Sequence, residues 1–450
     1  MRQEIAVSLA ALLVVSGCST LSQQEVFDSM NQMTATRGAE PLIWLKTSRD
    51  VDEAKMRVDA LLKEPLNEAN AVRITLINNR TLQQTYEQIG IAQSDLVQAG
   101  LMTNPLLGYS IGHGGGVRTS GMTLELAFLD LLWIPLRKEL GGLALEETKL
   151  SVGDEVLRTV RDAKKIYIDA QVAQEAVRLN RDVLKSHEAS VQLAIRQYTA
   201  GNLSKRDFLK IQDEYSRTRL ESIRLNRENA IAREALTKMM GLYAEQTDYK
   251  LDTKGLMLSA PFPKSEGLER LALKNRLDIA AAMKAVEYAA KEAGYTENTR
   301  LLSEVTVEGG GEKSTDSARF TTIGIKIPIP MFDMGEARLS RTQALYNRSV
   351  QRLYAIAVNV RSQTREAYAQ SRYAYDGADE YQSAIVKVNQ NIMEETQRYY
   401  NGMLDGIYEL LADQRRYSEA KIGAVNAIGE YQKTEADLVY VLGGAYHATK

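Results

Sequence analysis

From Arg137 to Tyr198 the chain runs about 62 residues without a proline, and its only glycines there are Gly141, Gly142 and Gly153. Its Ala, Leu, Glu, Arg, Lys, Val and Gln all suit a helix. A single helix of that length would reach ~93 Å, more than a compact domain can use. A second proline-free stretch runs from Glu336 to Tyr399. The chain reads as one rod built twice, with everything else arranged around the pair.

The 450 residues carry 44% hydrophobic and 25% charged side chains and a net charge of −2. That is neither disordered nor basic enough for a nucleic-acid partner. Length alone would give two or three globular domains; the rods favour one elongated unit. At the start, Arg2 precedes the apolar run Ile5–Val15, too short to span a bilayer as a helix. The run ends in Val15-Ser16-Gly17-Cys18, which resembles a bacterial lipoprotein signal. On that reading residues 1–17 are removed and Cys18, the one cysteine, becomes an acylated N-terminus. The resemblance also gives Ser19 meaning, as the residue that outer-membrane lipoproteins commonly show there. A lone cysteine cannot form an internal disulfide, and several acyl chains on one residue anchor stably where one binds marginally. A plain signal peptide with a chance cysteine is the alternative.

Residues 18–65 read as a mixed N-terminal segment, extended with a short helix near Val51–Leu62. From Leu66 to Leu101 apolar residues recur at helical spacing, until Asn104-Pro105 stops them. The period then changes to two. Leu107, Tyr109 and Ile111 alternate with small or polar residues. A turn-rich loop, His113 to Gly121, leads to Met122, Leu124, Leu126 and Phe128, so a β-hairpin is expected. The first rod follows and stops at Gly201. Ser204 with Asp207 starts a return helix to Met240 in capping-box fashion. A connector with little regular structure, 242–265, comes next.

The order then repeats. A helix spans Leu268–Thr299, and Val305 and Val307 begin a strand. Gly309–Gly311 and Glu312–Ser317 form a loop. Ile323, Ile325, Ile327 and Ile329 alternate in a second strand. The second rod ends near Gly402, and a last helix returns to Leu442. Asn79-Arg80 matches Asn275-Arg276 at an offset of 196. Arg137 matches Arg338, Gly201 matches Gly402 and Ser204 matches Asp405, all at 201. So steady an offset points to internal duplication. The two repeats are 66–241 and 266–443, with a tail at 444–450.

Four strands cannot close a membrane barrel, for which single chains start at 8 strands. An open sheet in lipid would leave unpaired edges. Either the strands form a small soluble sheet, or several chains share one barrel with lipid outside and polar groups inside.

At this point the chain resembles the TolC family of bacterial outer-membrane efflux proteins, in the lipoprotein branch that serves tripartite drug and metal pumps. The resemblance rests on Asn79-Arg80…Asn104-Pro105 and its copy Asn275-Arg276-Leu-Asp-Ile279. It also rests on Ile327-Pro-Ile-Pro-Met-Phe-Asp-Met-Gly335 and on the tips Tyr198-Thr-Ala-Gly201 and Tyr399-Tyr-Asn-Gly402. It covers Leu66 to Leu442. Leu301 stands opposite Pro105, where the pattern usually has proline. The resemblance implies a mainly α fold with a small β part: a long antiparallel α-helical coiled-coil barrel plus four transmembrane β-strands per chain. A homotrimer would share a twelve-stranded barrel. The implied protein is a passive efflux duct in the outer membrane, lipid-anchored and reaching into the periplasm. It has no catalysis and no cofactor beyond the lipid on Cys18. Its partners are a periplasmic adaptor, an inner-membrane pump of the RND type and outer-membrane lipid, with no nucleic acid.

The resemblance makes Gly201, Asn202, Leu203, Ser204, Gly402, Met403 and Leu404 candidates for adaptor contact at the periplasmic tip, although the glycines also serve as left-handed helix stops. Asp405, Glu409 and Asp413 are spaced i, i+4, i+8. In a trimer each would form a carboxylate ring of the kind that favours cations and that the family uses as an entrance gate. The bland reading makes Asp405 an N-cap and the other two solvated surface. Asp207 and Lys210 would link the closed tip, with Tyr399 as a tip-linking tyrosine. His113, His187 and His447 are too few and scattered for a metal site. The 14 methionines read as packing.

Two other readings stay open: a lipid-anchored periplasmic coiled-coil scaffold or adaptor, and a duct for polypeptide in type I secretion. Only a duct accounts for two alternating hairpins at matching places in the repeats.

Overall fold

A computed structural model describes residues 22–114, 116–252, 255–258, 266–301, 305–315 and 318–444. The signal segment and Cys18 lie outside the described residues. In chain order come α1 (Gln23–Ala35), α2 (Ser48–Leu61), α3 (Glu68–Asn78), α4 (Arg80–Ala99), β1 (Leu106–Gly114), β2 (Val117–Ala127), α5 (Phe128–Thr199) and α6 (Lys205–Met239). After a 3-10 turn at Ala244–Thr247 come α7 (Leu268–Asn275), α8 (Leu277–Thr299), β3 (Thr306–Ser314), β4 (Arg319–Lys326) and α9 (Glu336–Glu380). A π turn at Tyr381–Ile385 leads into α10 (Val386–Asn401), and α11 (Ile407–Val441) closes the chain. Among the described residues no helix is long and apolar enough to cross a membrane.

The duplication is visible in the elements. Each repeat has a broken helix, a β-hairpin, a long helix and a return helix. The break itself is absent from the apolar period, which runs on through it. It falls at Asn79 (φ −66, ψ 114) in one repeat and at Arg276 (φ −67, ψ 133) in the other. Asn79 caps its own helix by accepting from the Leu82 N–H at 3.0 Å, and its amide donates to the Met239 carbonyl at 2.8 Å. Arg276, nearly buried, forks onto Asp278 at 2.9 and 2.7 Å and donates to Gln363 at 2.9 Å. The end of each return helix closes onto this break. A Cβ on Gly241 (φ +67) would lie 2.7 Å from the Asn78 carbonyl oxygen, and one on Gly443 (φ +81) 2.7 Å from the Asn275 carbonyl carbon. Asn78 therefore corresponds to Asn275, an offset of 197 rather than the 196 expected from Asn79-Arg80.

The long helices differ from the expected rods. α5 begins at Phe128 and includes Pro135, which removes one donor near the helix start. In the second repeat β4 ends at Lys326, so the strand stops short of Ile327 and Ile329. Residues 327–335 lie outside helix and strand, because Pro328, Pro330 and Gly335 (φ +75) resist both. Arg137 and Arg338 do correspond at 201: each donates to a carbonyl just beyond the end of the preceding helix, Leu101 at 3.5 Å and Arg300 at 3.2 Å. Past the π turn the correspondence moves to 202. A π turn is an α-helix holding one additional residue, and it absorbs the extra one.

Two compact units interleave along the sequence. One contains Glu87–Val152 and Ala280–Tyr354, and so all four strands; the other contains Met33–Tyr86, Gly153–Ile279 and Ala355 onward. Leu66, Ile74, Tyr167, Ile168, Leu236, Met240, Tyr249 and Leu251 form one core of the second unit. The connector expected to lack regular structure supplies part of it. Leu66 and Leu251 form a parallel bridge, with the Leu66 N–H on the Lys250 carbonyl at 2.7 Å and the Asp252 N–H on the Leu66 carbonyl at 2.9 Å. The Tyr167 hydroxyl donates to the same Leu66 carbonyl at 3.0 Å.

Candidate functional site

The strands pair in the order β1-β2-β3-β4, all antiparallel. The two hairpins meet at β2–β3, where Leu124 faces Gly309 and Leu126 faces Val307. Both expected loops are shorter than their glycines imply. Gly112 pairs with Thr119 and His113 with Arg118, and Gly309–Gly311 lie inside β3. A Cβ on Gly310 would meet the Met122 carbonyl oxygen at 2.8 Å and Thr123 Cγ2 at 2.9 Å. Glycine here permits close strand approach rather than a turn.

Because side chains alternate across a strand, the register sorts them into two faces. Leu107, Leu124 and Ile323 share one row with Gly309. Tyr109 and Met122 share the next, and Leu126, Val307 and Ile325 another. All of the large apolar residues among them except Val307 are exposed. The opposite face carries Thr123, Thr322, Glu125 and Glu308, with Lys326 2.8 Å from Glu308 and 2.5 Å from Glu125. Phe320 is the large aromatic exception on that face.

In the second unit the helices turn back at two tips. At the first, the Gly201 N–H bonds to the Tyr198 carbonyl at 3.0 Å and the Asn202 N–H to the Gln197 carbonyl at 2.8 Å. Gly201 takes φ +76, the left-handed stop that glycine adopts without penalty. Ser204 caps α6 by accepting from the Asp207 N–H at 3.1 Å and donating to its carboxylate at 2.6 Å. Tyr198 stacks on Phe208 at 4.9 Å. Leu203 and Phe208 pack with Val191, Ala194, Ile211, Leu411 and Tyr408 in one apolar cluster, so the two tips share a core.

The second tip repeats the hydrogen bonds one residue later. The Met403 N–H bonds to the Tyr400 carbonyl at 3.0 Å and the Leu404 N–H to the Tyr399 carbonyl at 2.9 Å. Gly402 keeps φ −80, and Met403 is the left-handed residue at φ +59. Gly402 is thus no left-handed stop, and the extra residue of the π turn is the reason. Met403 is 94% exposed and Leu404 73%. The same shift makes Gly406, not Asp405, the N-cap of α11, without a side-chain cap bond. The Glu409 carboxylate curls back to 2.8 Å from where a Gly406 Cβ would lie.

The three acidic residues do not share one surface. Asp405 precedes the helix and is exposed, as is Glu409. Asp413 is buried at 6% exposure, accepts from the Thr396 hydroxyl at 2.6 Å and pairs with Arg416. Positions four apart on a 3.6-residue helix drift about 40° per step, which carries Asp413 into the packing. Asp207 serves its own cap, Lys210 lies 4.8 Å over the Tyr408 ring, and Tyr399 is half exposed.

Periodicity gave no sign of His187. It is completely buried, with Nδ1 2.9 Å from the Thr218 hydroxyl. Glu214, itself ion-paired with Arg415, and the Leu411 backbone face it. Burial pushes its pKa below the ordinary histidine value. Near the Arg276 break, burial and then the Asp278 charge hold the Asp154 carboxyl above the usual carboxylate range. Only the fold gathers these groups, from helices distant in sequence.

Residues 268–444 match the profile of the family described as "Outer membrane efflux protein". The chain is 22% identical to Nodulation protein T of Rhizobium leguminosarum bv. viciae, over 83% of this chain and 81% of that protein. It is 25% identical to the alkaline protease secretion protein AprF of Pseudomonas aeruginosa, over 62% and 59%. It is also 25% identical to the cobalt-zinc-cadmium resistance protein CzcC of Cupriavidus metallidurans, over 61% and 65%. Its fold matches the outer membrane protein VceC of Vibrio cholerae with a TM-score of 0.69, at 15% identity, over 84% of this chain and 97% of that one.

Proposed function

We infer that this chain belongs to the outer membrane efflux protein family and is the outer-membrane duct of a tripartite efflux system. It passively conducts drugs or metal ions from an inner-membrane pump and a periplasmic adaptor to the outside. One observation carries the reading: a four-stranded sheet whose outer strands β1 and β4 have no further partner among the described residues, with one exposed apolar face and one polar face. In lipid each unpaired backbone group costs several kcal/mol. Three copies closing a twelve-stranded barrel would pair both edges, turn Leu107, Tyr109, Leu124 and Ile323 to lipid and leave the Glu125–Lys326–Glu308 face inside. A duct performs no covalent chemistry, so it needs neither catalytic residues nor a cofactor.

The tip turns then serve as the adaptor contact, through Gly201, Asn202, Leu203 and Ser204 on one side and Gly402, Met403 and Leu404 on the other. Asp405 and Glu409 are the exposed carboxylates that would line an entrance, and Asp207 and Tyr399 are assigned to the same gate. The acyl anchor belongs on Cys18. The AprF likeness supports polypeptide as a second class of cargo. Loss of drug or metal tolerance in a deletion strain, against loss of a secreted protein, separates the two.

Native mass spectrometry of membrane-extracted protein tests the duct. Three mature, acylated chains are expected. A monomer that stays soluble without detergent once Cys18 is replaced by Ser would leave the scaffold reading instead.

A further inference from the structure

The exposed face of the sheet changes character at one end. On the side of Leu107, Met122 and Leu124, the last two rows before the hairpin turns are basic. Ile111, Ser120, Lys313 and Arg319 form one row, and His113 and Arg118 the next. Directly paired residues project from the same side of a sheet, so all four basic groups share the apolar side. All four are exposed. Glu312, opposite Phe320, lies on the other face. Among the described residues the ion pairs of the sheet are those of Lys326 with Glu125 and Glu308, at the opposite end of the strands. Asp316, the one carboxylate in the hairpin turns, lies outside the described residues.

Backbone bonds hold this rim in place. The Arg118 N–H donates to the Thr315 hydroxyl at 3.2 Å and the Thr315 N–H to the Arg118 carbonyl at 3.1 Å. The Ser314 N–H closes the second turn on the Ala318 carbonyl at 3.0 Å. Arg118 stands eight residues from Leu126, about 27 Å along the strand, or about 20 Å of depth at the usual barrel tilt. Long basic side chains snorkel over the remaining distance to a headgroup layer. From β1 to β4 the four groups spread over three strand spacings, about 14 Å. That is too wide for one phosphate and wide enough for two.

We propose that His113, Arg118, Lys313 and Arg319 form a docking surface for a lipid headgroup bearing two phosphates. The two guanidinium groups take phosphate bidentately, and Lys313 adds a point charge. The apolar rows begin directly below the charges and cover the acyl chains, which a soluble anion would not use. The inference rests on the duct reading: with the helices in the periplasm, the hairpin turns at the far ends of the strands face the outer leaflet.

Native mass spectrometry of the full-length, detergent-extracted protein tests it, by titration with diphosphoryl lipid A, with phosphatidylcholine or with inorganic phosphate. Lipid A should be retained at concentrations where phosphatidylcholine is lost. Arg118→Gln, Lys313→Gln and Arg319→Gln should each weaken its retention about five-fold, and Arg319→Lys should keep it. Lys326→Gln, the same charge change on the other face, should leave it unchanged. Equal retention of the two lipids, retention that ignores the three neutralising substitutions, or phosphate binding without lipid retention overturns the docking surface. Bilayer conductance reads the duct separately. A conducting protein that retains no lipid A loses the docking surface alone. A non-conducting protein whose lipid A retention still follows the three substitutions loses the duct alone.

Discussion

The two repeats use one plan and satisfy it with different side chains. At the helix break Asn79 closes the first copy with its own amide, whereas Arg276 closes the second with a buried fork onto Asp278. At the tip, Gly201 takes the left-handed conformation in one copy and Met403 in the other. Ser204 caps the first return helix, and Gly406 starts the second without a side-chain cap bond. At its tip the first copy follows local rules. The second breaks them at its tip, holding a strained, exposed methionine and an uncapped helix start. Strain of this kind persists only where surrounding structure over-determines it, and here the shared apolar cluster and the Thr396–Asp413 bond do so.

Removing what the copies share should have the largest effect. Gly241→Ala and Gly443→Ala each add a Cβ at positive φ against an asparagine backbone. Each should cost about 3 kcal/mol, read as a lower unfolding midpoint in detergent. Similar losses would confirm that the two closures are equivalent; a loss confined to one would break the symmetry. Next, Asp413→Ala strips the buried partner from Thr396 and Arg416 and should cost about 2 kcal/mol. Glu409→Gln, at the exposed neighbour, should leave stability within about 0.5 kcal/mol. If Glu409 lines the entrance, the same change lowers cation selectivity in bilayer conductance.

The tips should respond in opposite directions. Gly201→Ala should destabilise by about 1 kcal/mol, and Met403→Gly should stabilise by up to about 1 kcal/mol, both measured by denaturant midpoint. Met403→Gly should also weaken adaptor capture if the exposed methionine is a contact. The smallest effect is on pH. The folded protein holds His187 below its unfolded pKa of 6.5. The unfolded chain therefore takes up the proton first, and stability falls as pH drops through the unfolded value. The thermal midpoint should fall from pH 7.5 to pH 5, and His187→Gln should lessen that fall.

Much of this was legible in the sequence. Helix composition, the alternating strands, the glycine stop at Gly201 and the Ser204–Asp207 cap are local properties, and they sit where the residues place them. What failed to show needed a partner. Gly309–Gly311 read as a loop because their ladder with Met122–Leu124 is invisible along the chain. Tyr249 and Leu251 read as connector because Leu66, far away in sequence, supplies the bridge.

The one-residue shift shows the boundary most clearly. Sequence by itself determined the duplication, the two long helices and the acidic spacing after Gly402, since periodicity and composition are written along the chain. Only tertiary structure decided where the extra residue goes. Gly423 offers a notch for Tyr381, so the insertion is taken up as a π turn. Every later position is then rotated, which sends the left-handed turn to Met403, the cap to Gly406 and Asp413 into the packing. A helix can absorb an added residue at any of many turns, and only the neighbour it packs against selects one.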